Sequence, residues 1–357
     1  MSNEDVIVLL GAGASCEAGL APSIKMMERL EADLQKGGKW DDYAELYTAV
    51  KSAILYGHAL EGKPLAGLNI EEFVNVLNEL VQCKKHTIYP FIASWNMELM
   101  EYAGPNFCKI KKFKDEIVKE LVSDWIFLRN ASDAEYYKGL LEFAKSYAKG
   151  LRVFSLNYDL CVECGCGKEN VYRGFEPDKN GVKTWDDRNF QQDAINEPMV
   201  LYKLHGSVDW SRDSKGRLVH DDYFNPNNDA DAYELIFGTS NKMRYEDPYL
   251  FYLSAFRKHA LEAKLLITIG YSFNDKHINK IIEQATRRKL ASIIHVTAPS
   301  VDKDAESRLV SERLQLGGCG TPVNLVVYPI GAKAFLQHEL TVENVAKYIP
   351  EEGDIPF

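Results

Sequence analysis

The sequence predicts an α/β fold, in which a parallel sheet carries helices on both faces and a helical insertion follows the first strand. Three observations support this prediction. A short apolar run, Val6–Leu10, ends at glycines, as a buried parallel strand does before a tight turn. Residues from about 24 to 150 then show helical periodicity. Beyond residue 150, strand-like runs alternate with helical segments, as in a parallel sheet covered by helices.

The composition is that of a globular protein with a substantial core. The 357 residues are 46% hydrophobic and 26% charged, a balance typical of ordinary folded domains. We expect one domain over residues 1–357, since an α/β core with insertions accommodates this length. The formal net charge of -10 argues against broad attraction to nucleic acids or anionic membranes. The longest apolar runs, Val6–Ala14 and Leu265–Tyr271, are too short to cross a bilayer.

The helical insertion rests on two apolar stripes at helical spacing. They are formed by Ile70, Phe73, Val74, Leu77 and Leu80, and by Ile117, Val118, Leu121, Val122 and Trp125. We interpret both stripes as core packing, since the apolar faces of helices are normally buried. The insertion is also the segment that we expect to serve as a lid or as an assembly surface.

The rest of the chain carries the alternation of strands and helices. Strand-like runs occupy Leu151–Leu156, Met199–Leu204, Tyr233–Phe237, Leu265–Ile269, Ser292–Val296 and Asn324–Tyr328. Helical candidates occupy Pro248–Glu262, Lys276–Arg287 and Lys303–Leu314. Two polar stretches, Tyr172–Pro198 and Ser211–Asp231, are predicted as loops or as parts of a small irregular module over about 160–235.

Polar or glycine-rich residues follow four of the predicted strands. The clusters are Gly11-Ala12-Gly13-Ala14-Ser15, Asn157-Tyr158-Asp159, His205-Gly206-Ser207 and Gly270-Tyr271-Ser272. In open α/β sheets, ligands bind beyond the carboxyl ends of the strands, so this placement gathers all four clusters at one edge. Their shared position predicts a ligand site there more strongly than any single motif does.

The first cluster has part of a phosphate-binding pattern. Gly11 and Gly13 would let the backbone turn and approach a pyrophosphate, and Ser15 would cap the next helix. Glycines at strand ends are also ordinary turn residues, so that alternative stays open. The rest of a dinucleotide fingerprint is missing, because Cys16 stands at the third glycine position and no strand ending in an acidic residue follows within a βαβ unit. An ordinary dinucleotide-dependent dehydrogenase is therefore disfavoured.

The other clusters hold the candidate catalytic groups. Asn157 and Asp159 lie on the same side of an extended segment and would hold a ribose or a water together, although both residue types also build turns. His205 would emerge at the same edge, and an imidazole that titrates near neutrality is suited to general base catalysis. Ser272 would hydrogen-bond a phosphate or a ribose, whereas Asp275 fits a helix cap.

Seven cysteines are scattered along the chain, an odd number without the spacing of a disulfide framework. A reducing compartment fits this pattern, so we expect a cytoplasmic protein. Cys161, Cys164 and Cys166 form the one dense cluster. A structural zinc normally takes four ligands, and no second pair follows at the required spacing. We therefore expect no metal and interpret the cluster as reduced thiols near the site.

Together, the strand-end motifs resemble those of the Sir2-like family. The matching segments are Gly11-Ala12-Gly13-Ala14-Ser15 with Ala18-Gly19-Leu20-Ala21-Pro22, then Ser155-Leu156-Asn157-Tyr158-Asp159, Lys203-Leu204-His205-Gly206-Ser207 and Ile269-Gly270-Tyr271-Ser272. The resemblance implies a Rossmann-like fold in which the first segment cradles the phosphates of NAD. It further implies that Asn157 and Asp159 line the nicotinamide-ribose pocket and that His205 is the catalytic base. Gly270, Tyr271 and Ser272 would then contact the dinucleotide.

Two departures from the family bear on the activity. Protein deacylases of the family carry two cysteine pairs after the histidine for a zinc ribbon, and this chain has none there. Ala21-Pro22-Ser23-Ile24 also stands where those enzymes have Pro-Asp-Phe-Arg. The Asn-Tyr-Asp and Gly-Tyr-Ser variants are instead similar to those of bacterial Sir2-like antiviral effectors, which hydrolyse NAD and deplete it in the infected cell.

The resemblance thus implies an NAD+ glycohydrolase that forms nicotinamide and ADP-ribose, with NAD+ as substrate and no further cofactor. It also implies a homo-oligomer or a partner protein, such as a HerA-type ATPase or an Argonaute-type protein, that controls the enzyme. Two alternatives remain: a module that senses NAD or ADP-ribose without turnover, and an NAD-dependent protein deacylase. The presence of both Asn157 and His205 favours an enzyme, since a sensor has less need of a base.

Overall fold

The computed structural model of the protein describes residues 5–62, 68–82, 97–147, 150–190, 195–220, 235, 246–317 and 323–350. The chain forms two compact units. The sheet unit consists of Met1–Leu20, Leu128–Phe224 and Arg244–Phe357. The helical unit consists of Ala21–Phe127 and Asn225–Met243.

The strands of the sheet unit form two sheets. In chain order they are β1 (Val6–Leu10), β2 (Leu151–Ser155), β3 (Val171–Tyr172), β4 (Phe175–Pro177), β5 (Lys183–Trp185), β6 (Met199–Lys203), β7 (Trp210–Arg212), β8 (Leu218–His220), β9 (Leu265–Ile269), β10 (Ser292–Thr297) and β11 (Asn324–Pro329). The long strands predicted from the sequence are confirmed with ends within one residue. The strand expected over Tyr233–Phe237 lies outside the described residues, apart from Leu235.

The main sheet has seven parallel strands in the order β11-β10-β9-β1-β2-β6-β3. Val8 of β1 is in register with Val153 of β2 and with Ile267 of β9. The other six strands, without the short edge strand β3, lie in the order β6-β2-β1-β9-β10-β11. Numbered along the chain from one to six, this is the order 3-2-1-4-5-6 of the Rossmann fold. The strand order therefore reverses between β1 and β9, and ligands of such sheets bind in the crevice at that point.

Helices cover both faces of the main sheet, as predicted. Val6 and Val8 of β1 belong to one core, and Ile7 and Leu9 belong to the other, because successive side chains of a strand point to opposite faces. The first core is completed by Ala131–Tyr137, Lys138–Tyr147, Cys161–Cys166, Ala332–Ala334 and Phe335–Glu339. The second core is completed by the helices Tyr249–Glu262, Lys276–Thr286 and Lys303–Arg313.

The helical unit has its own core of large apolar side chains. Its main helices are Ser23–Lys36, Ala44–Leu60, Ile70–Gln82, Met97–Ala103 and Cys108–Glu120, followed by a π-helical turn over Leu121–Trp125. Phe113 lies at its centre, stacked on Tyr43 at 4.8 Å and in edge contact with Trp40 and Phe73. The two apolar stripes are buried except for Leu80, which is half-buried, so their assignment to core packing is confirmed.

The helical periodicity that runs to about residue 150 crosses the boundary between the two units. The segments Ala131–Tyr137 and Lys138–Tyr147 pack on the main sheet, where Tyr137 and Leu140 are fully buried. Periodicity shows that a helix has an apolar face, but it does not show which core that face joins. In the described part of the chain, no helix combines the length and apolarity needed to cross a membrane.

A second, four-stranded antiparallel sheet forms where the sequence predicts loops or an irregular module. Its strand order is β4-β5-β8-β7, and each strand has three residues. Strands this short do not show a two-residue alternation that can be distinguished from a loop. The module packs on the helix Tyr249–Glu262 through aromatic contacts, including a hydrogen bond from Trp185 Nε1 to Tyr252 Oη at 2.8 Å.

Candidate functional site

The structure places the four predicted clusters side by side. They follow β9, β1, β2 and β6, which are consecutive strands of the main sheet. Their backbones are linked beyond the strand ends, where Gly11 N donates to Ile269 O at 2.9 Å and Leu204 N donates to Ser155 O at 2.9 Å. The clusters therefore form a continuous rim of loops that includes the crevice between β1 and β9.

The glycines of this rim are required by backbone packing. A Cβ atom on Gly11 would lie 2.6 Å from Gly270 O, and one on Gly13 would lie 2.7 Å from Gly270 Cα. Gly270 itself has a φ of 63°, and its Cβ would lie 2.1 Å from Ala14 N. The backbones of the loops after β1 and β9 are thus in close contact where the strand order reverses, and we refer to this contact as the lock between the two loops. Ala12 is exposed, so the first loop is open to solvent at that residue.

Asn157 is held by the glycine loop. Its Nδ2 donates to Gly11 O at 2.9 Å and to Ser15 Oγ at 3.2 Å. Ser15 is also hydrogen-bonded to the hydroxyl of Tyr137 at 3.2 Å. Both Asn157 and Ser15 are buried. Because the amide nitrogen is occupied, the carbonyl oxygen Oδ1 of Asn157 is the atom left to accept a hydrogen bond from a ligand.

Asp159 also has a structural role, as the turn alternative predicts. Its Oδ1 accepts a hydrogen bond from Cys161 N at 2.9 Å, at the start of the short helix Cys161–Cys166. Its backbone oxygen accepts a hydrogen bond from Lys203 Nζ. The carboxylate of Asp159 thus builds the turn at the start of this helix.

His205 lies against the carboxylate of Asp275, for which the sequence predicts only a helix cap. His205 Nε2 is 3.3 Å from Asp275 Oδ2, and both side chains are buried. Asp275 Oδ1 at the same time accepts hydrogen bonds from His277 N and Ile278 N. The other imidazole nitrogen, Nδ1 of His205, is buried and finds no hydrogen-bond partner among the described residues. The sequence signal was an acidic residue shortly after the Gly-Tyr-Ser cluster, but helix capping explained it equally well.

The three residues of the Gly-Tyr-Ser cluster have different surroundings. Tyr271 is buried, and its hydroxyl donates to Asn279 Oδ1 at 2.7 Å. Burial raises the pKa of Tyr271 well above its ordinary value, so its hydroxyl is neutral. The side chain of Tyr271 is therefore occupied in packing, whereas Ser272 is exposed. Gly270 contributes its backbone to the lock with the first loop.

The three clustered cysteines are on the short helix Cys161–Cys166. Burial raises the pKa of the Cys161 thiol, and the nearby Asp159 raises it further. Burial likewise raises the pKa of Cys166 to about 12, and that of Cys164 is also raised. These thiols are therefore protonated and poorly reactive at neutral pH. Among the residues that the structure describes, no group of three or more His, Cys, Asp or Glu side chains could hold a metal ion.

A buried network of charges lies beneath the His205 loop. Arg173 contacts Glu163 at 3.1 Å and Asp209 at 2.8 Å, and Lys203 contacts Glu163 at 3.5 Å. Burial opposes the charge of Asp209, but the Arg173 guanidinium holds the pKa of that carboxyl well below its usual range. The network joins β6, the helix Cys161–Cys166 and the loop after His205. It was not predicted, because its members are far apart in the sequence.

Removal of one charge from this network should be strongly destabilising. We expect Arg173→Met to lower the free energy of unfolding by roughly 3–5 kcal/mol, because two buried carboxylates would lose their shared cation. The measurement is the unfolding of the full chain by urea, with circular dichroism as the signal.

Arg188→Met is the matched control, because Arg188 pairs with Asp186 but its side chain is 79% exposed. Exposed ion pairs contribute little, so this variant should unfold at the same urea concentration as the wild type. Equal midpoints for the two variants would contradict a stabilising role of the buried network.

One family model matches part of the chain. Residues 151–316 match the SIR2-like domain. The matched segment contains Asn157, Asp159, His205 and the Gly270 loop, and it begins after β1 and the first glycine loop. No curated protein matches the chain.

Solved structures of Sir2 proteins are similar to the chain over most of its length. A Sir2 homologue in complex with NAD is 14% identical with a TM-score of 0.43, and the match covers 96% of this chain and 89% of that one. Sir2Tm bound to a propionylated peptide is 12% identical with a TM-score of 0.36, and the match covers 93% of this chain and 90% of that one. A Sir2–p53 peptide–NAD+ complex is 10% identical with a TM-score of 0.40, covering 93% and 90%.

Proposed function

We propose that this protein is an NAD+ glycohydrolase, which cleaves NAD+ to nicotinamide and ADP-ribose. The observation that carries the proposal is the buried imidazole of His205, whose Nδ1 has no hydrogen-bond partner in the part of the chain that the structure describes. This imidazole lies at the same rim of loops as Asn157 and the closely packed glycines. The SIR2-like match over residues 151–316 supports the same class of substrate.

The dinucleotide would lie across the reversal of strand order between β1 and β9. Its pyrophosphate would face the backbone of Gly11, Ala12, Gly13, Ala14 and Ser15, because this loop is held open toward solvent at Ala12. The loop Gly270–Ser272 would face it from β9. The nicotinamide ribose would then extend toward Asn157 and His205, on the side of β2 and β6.

The chemistry requires little beyond orientation and one base. The bond between ribose C1′ and the nicotinamide nitrogen breaks, and neutral nicotinamide leaves with the bonding electrons. A water oxygen then bonds to C1′, and His205 Nδ1 takes the proton that this water releases. Asn157 Oδ1 would orient the water, and Asp159 Oδ2 would offset the positive charge that develops on the ribose.

Access to the base is a distinct requirement. The side chain of His205 is only 6% exposed, so substrate reaches Nδ1 only after neighbouring groups move. An enzyme that destroys NAD+ without restraint would harm its own cell. We therefore propose that assembly into a homo-oligomer or contact with a partner protein, such as an ATPase or an Argonaute-type protein, opens the site.

The deciding experiment is incubation of the purified chain with NAD+, followed by chromatography of the products. Nicotinamide and ADP-ribose in equal amounts support the proposal. NAD+ binding without turnover would favour either a sensor or an enzyme that waits for its partner protein. Cleavage that depends on an added acetyl-lysine peptide would favour a deacylase and would exclude the glycohydrolase. Each arm is repeated at high protein concentration, so that an assembly-dependent enzyme is not scored as inactive.

The biological role that we propose for this activity is antiviral defence by depletion of NAD+. The support is the resemblance of the Asn-Tyr-Asp and Gly-Tyr-Ser motifs to those of the defence effectors. The test is phage challenge of bacteria that express either the wild type or an inactive variant, with measurement of cellular NAD+. Equal phage yields and equal NAD+ levels in the two cultures would exclude this role.

A further inference from the structure

Asp275 uses its two carboxylate oxygens for different purposes. Oδ1 accepts hydrogen bonds from His277 N at 3.0 Å and Ile278 N at 3.3 Å, which caps the helix Lys276–Thr286. Oδ2 lies 3.3 Å from His205 Nε2. A helix cap needs only one of these oxygens. The second contact is therefore not explained by capping.

We propose that Asp275 is a positioning residue for His205, fixing the tautomer and the orientation of the imidazole. This inference rests on the proposed function, because it concerns the base of that reaction. A carboxylate only accepts hydrogen bonds, so the nitrogen that faces it must carry the proton. With the proton on Nε2, the lone pair is on Nδ1, which is the nitrogen without a partner among the described residues. The contact with Asp275 thus makes Nδ1 of His205 the basic nitrogen.

The chain holds Asp275 in this position at some conformational cost. The strands β6 and β9, which precede the two residues, are separated by β1 and β2, or by roughly 14 Å at the usual strand spacing. The loop after β9 reaches His205 through two positive φ angles, 63° at Gly270 and 54° at Phe273. A non-glycine residue in this conformation is uncommon and is typical of functional sites.

Phe273 is fixed in this conformation by its surroundings. It is fully buried, and its backbone oxygen accepts hydrogen bonds from Asn279 Nδ2 at 2.7 Å and from Arg313 Nη1 at 3.1 Å. Two side chains from separate helices therefore hold the segment that delivers Asp275. Tyr158 also lies near His205, with its ring centre 6.4 Å from that of the imidazole.

The variant that separates the two functions of Asp275 is Asp275→Asn. Asparagine caps helices as well as aspartate does, but its amide can place a hydrogen-bond donor against Nε2. The imidazole proton would then move to Nδ1, and the base would be lost. We expect kcat for NAD+ cleavage to fall by roughly 10²–10⁴-fold, with KM changed by less than about threefold.

Asp302→Asn is the matched control. Asp302 caps the helix Lys303–Arg313 through a 2.7 Å hydrogen bond from Ala305 N to its Oδ1, and it is exposed. The chemical change is the same, but no histidine is involved. This control should keep the wild-type kcat, and both variants should melt within a few degrees of the wild type. Equal kcat values in the two variants and the wild type would overturn the inference.

A spectroscopic measurement tests the tautomer without reference to activity. The full chain is labelled with ¹⁵N-histidine, and His205→Gln identifies the His205 signals among the eight histidines. We expect the proton on Nε2 in the wild type and in Asp302→Asn, and on Nδ1 in Asp275→Asn. A proton on Nδ1 of wild-type His205 would overturn the inference. If the wild type shows the expected tautomer but never cleaves NAD+, the proposed function fails while the contact between Asp275 and His205 stands.

Discussion

His205→Ala should abolish most NAD+ cleavage while the protein still folds and still binds NAD+. The expected loss in kcat is roughly 10²–10⁴-fold, which is the usual contribution of a general base. The reason is geometric, since Nδ1 of His205 is the buried basic atom at the rim that lacks a partner among the described residues. The glycine loop and Asn157 hold each other through their own hydrogen bonds. Removal of the imidazole should therefore leave the dinucleotide crevice intact.

The measurement is steady-state NAD+ cleavage, with binding followed separately by calorimetry. His338→Ala serves as the control, because His338 is exposed on the segment Phe335–Glu339 of the sheet unit. We expect the control to match the wild type in both assays. If kcat of His205→Ala stays within about threefold of the wild type, His205 is not a general base, because a threefold loss is far smaller than the usual contribution of a base. Loss of binding together with cleavage would instead assign His205 to substrate binding.

The parallel sheet was predictable because its strands are buried on both faces. A run such as Leu265–Ile269 consists almost entirely of branched apolar residues and ends at glycine, so its type and ends follow from composition. The four short antiparallel strands were not predictable, since a three-residue strand such as Lys183–Trp185 carries no readable period. The division into two units was also not predictable, because the apolar stripe of a helix does not identify the core in which that stripe is buried.

The candidate site was predictable only at the level of which loops meet. The rule that parallel strands end at one edge brings Asn157, His205 and the glycines together. It does not predict that Gly11 and Gly13 are needed against Gly270, nor that Asp275 reaches His205. Both contacts join segments that are far apart in the chain, and they depend on loop conformations that single residue types do not determine. The glycines have a clear structural requirement, so their presence alone does not establish phosphate binding.

Gly270→Ala should disrupt the rim strongly, more than the same substitution at Gly11 or Gly13. The added Cβ would lie 2.1 Å from Ala14 N and 2.3 Å from Gly13 C. These are backbone atoms of a locked loop, so the collision is not relieved by rotation of a side chain. The φ of 63° adds a cost of about 1–2 kcal/mol for any residue with a Cβ. We expect the free energy of unfolding to fall by about 3–5 kcal/mol and the affinity for NAD+ to fall with it, since the first loop must move.

Gly181→Ala separates the collision from the conformational cost. Gly181 has a φ of 79°, close to that of Gly270, but a Cβ there would meet nothing within 4 Å. It lies in the turn between β4 and β5, away from the rim. Thermal unfolding and NAD+ calorimetry on both variants give the comparison. We expect Gly181→Ala to lower the melting temperature by only a few degrees and to bind NAD+ normally. If Gly270→Ala behaves in the same way, the lock between the two loops is not rigid, and the dinucleotide crevice does not depend on it.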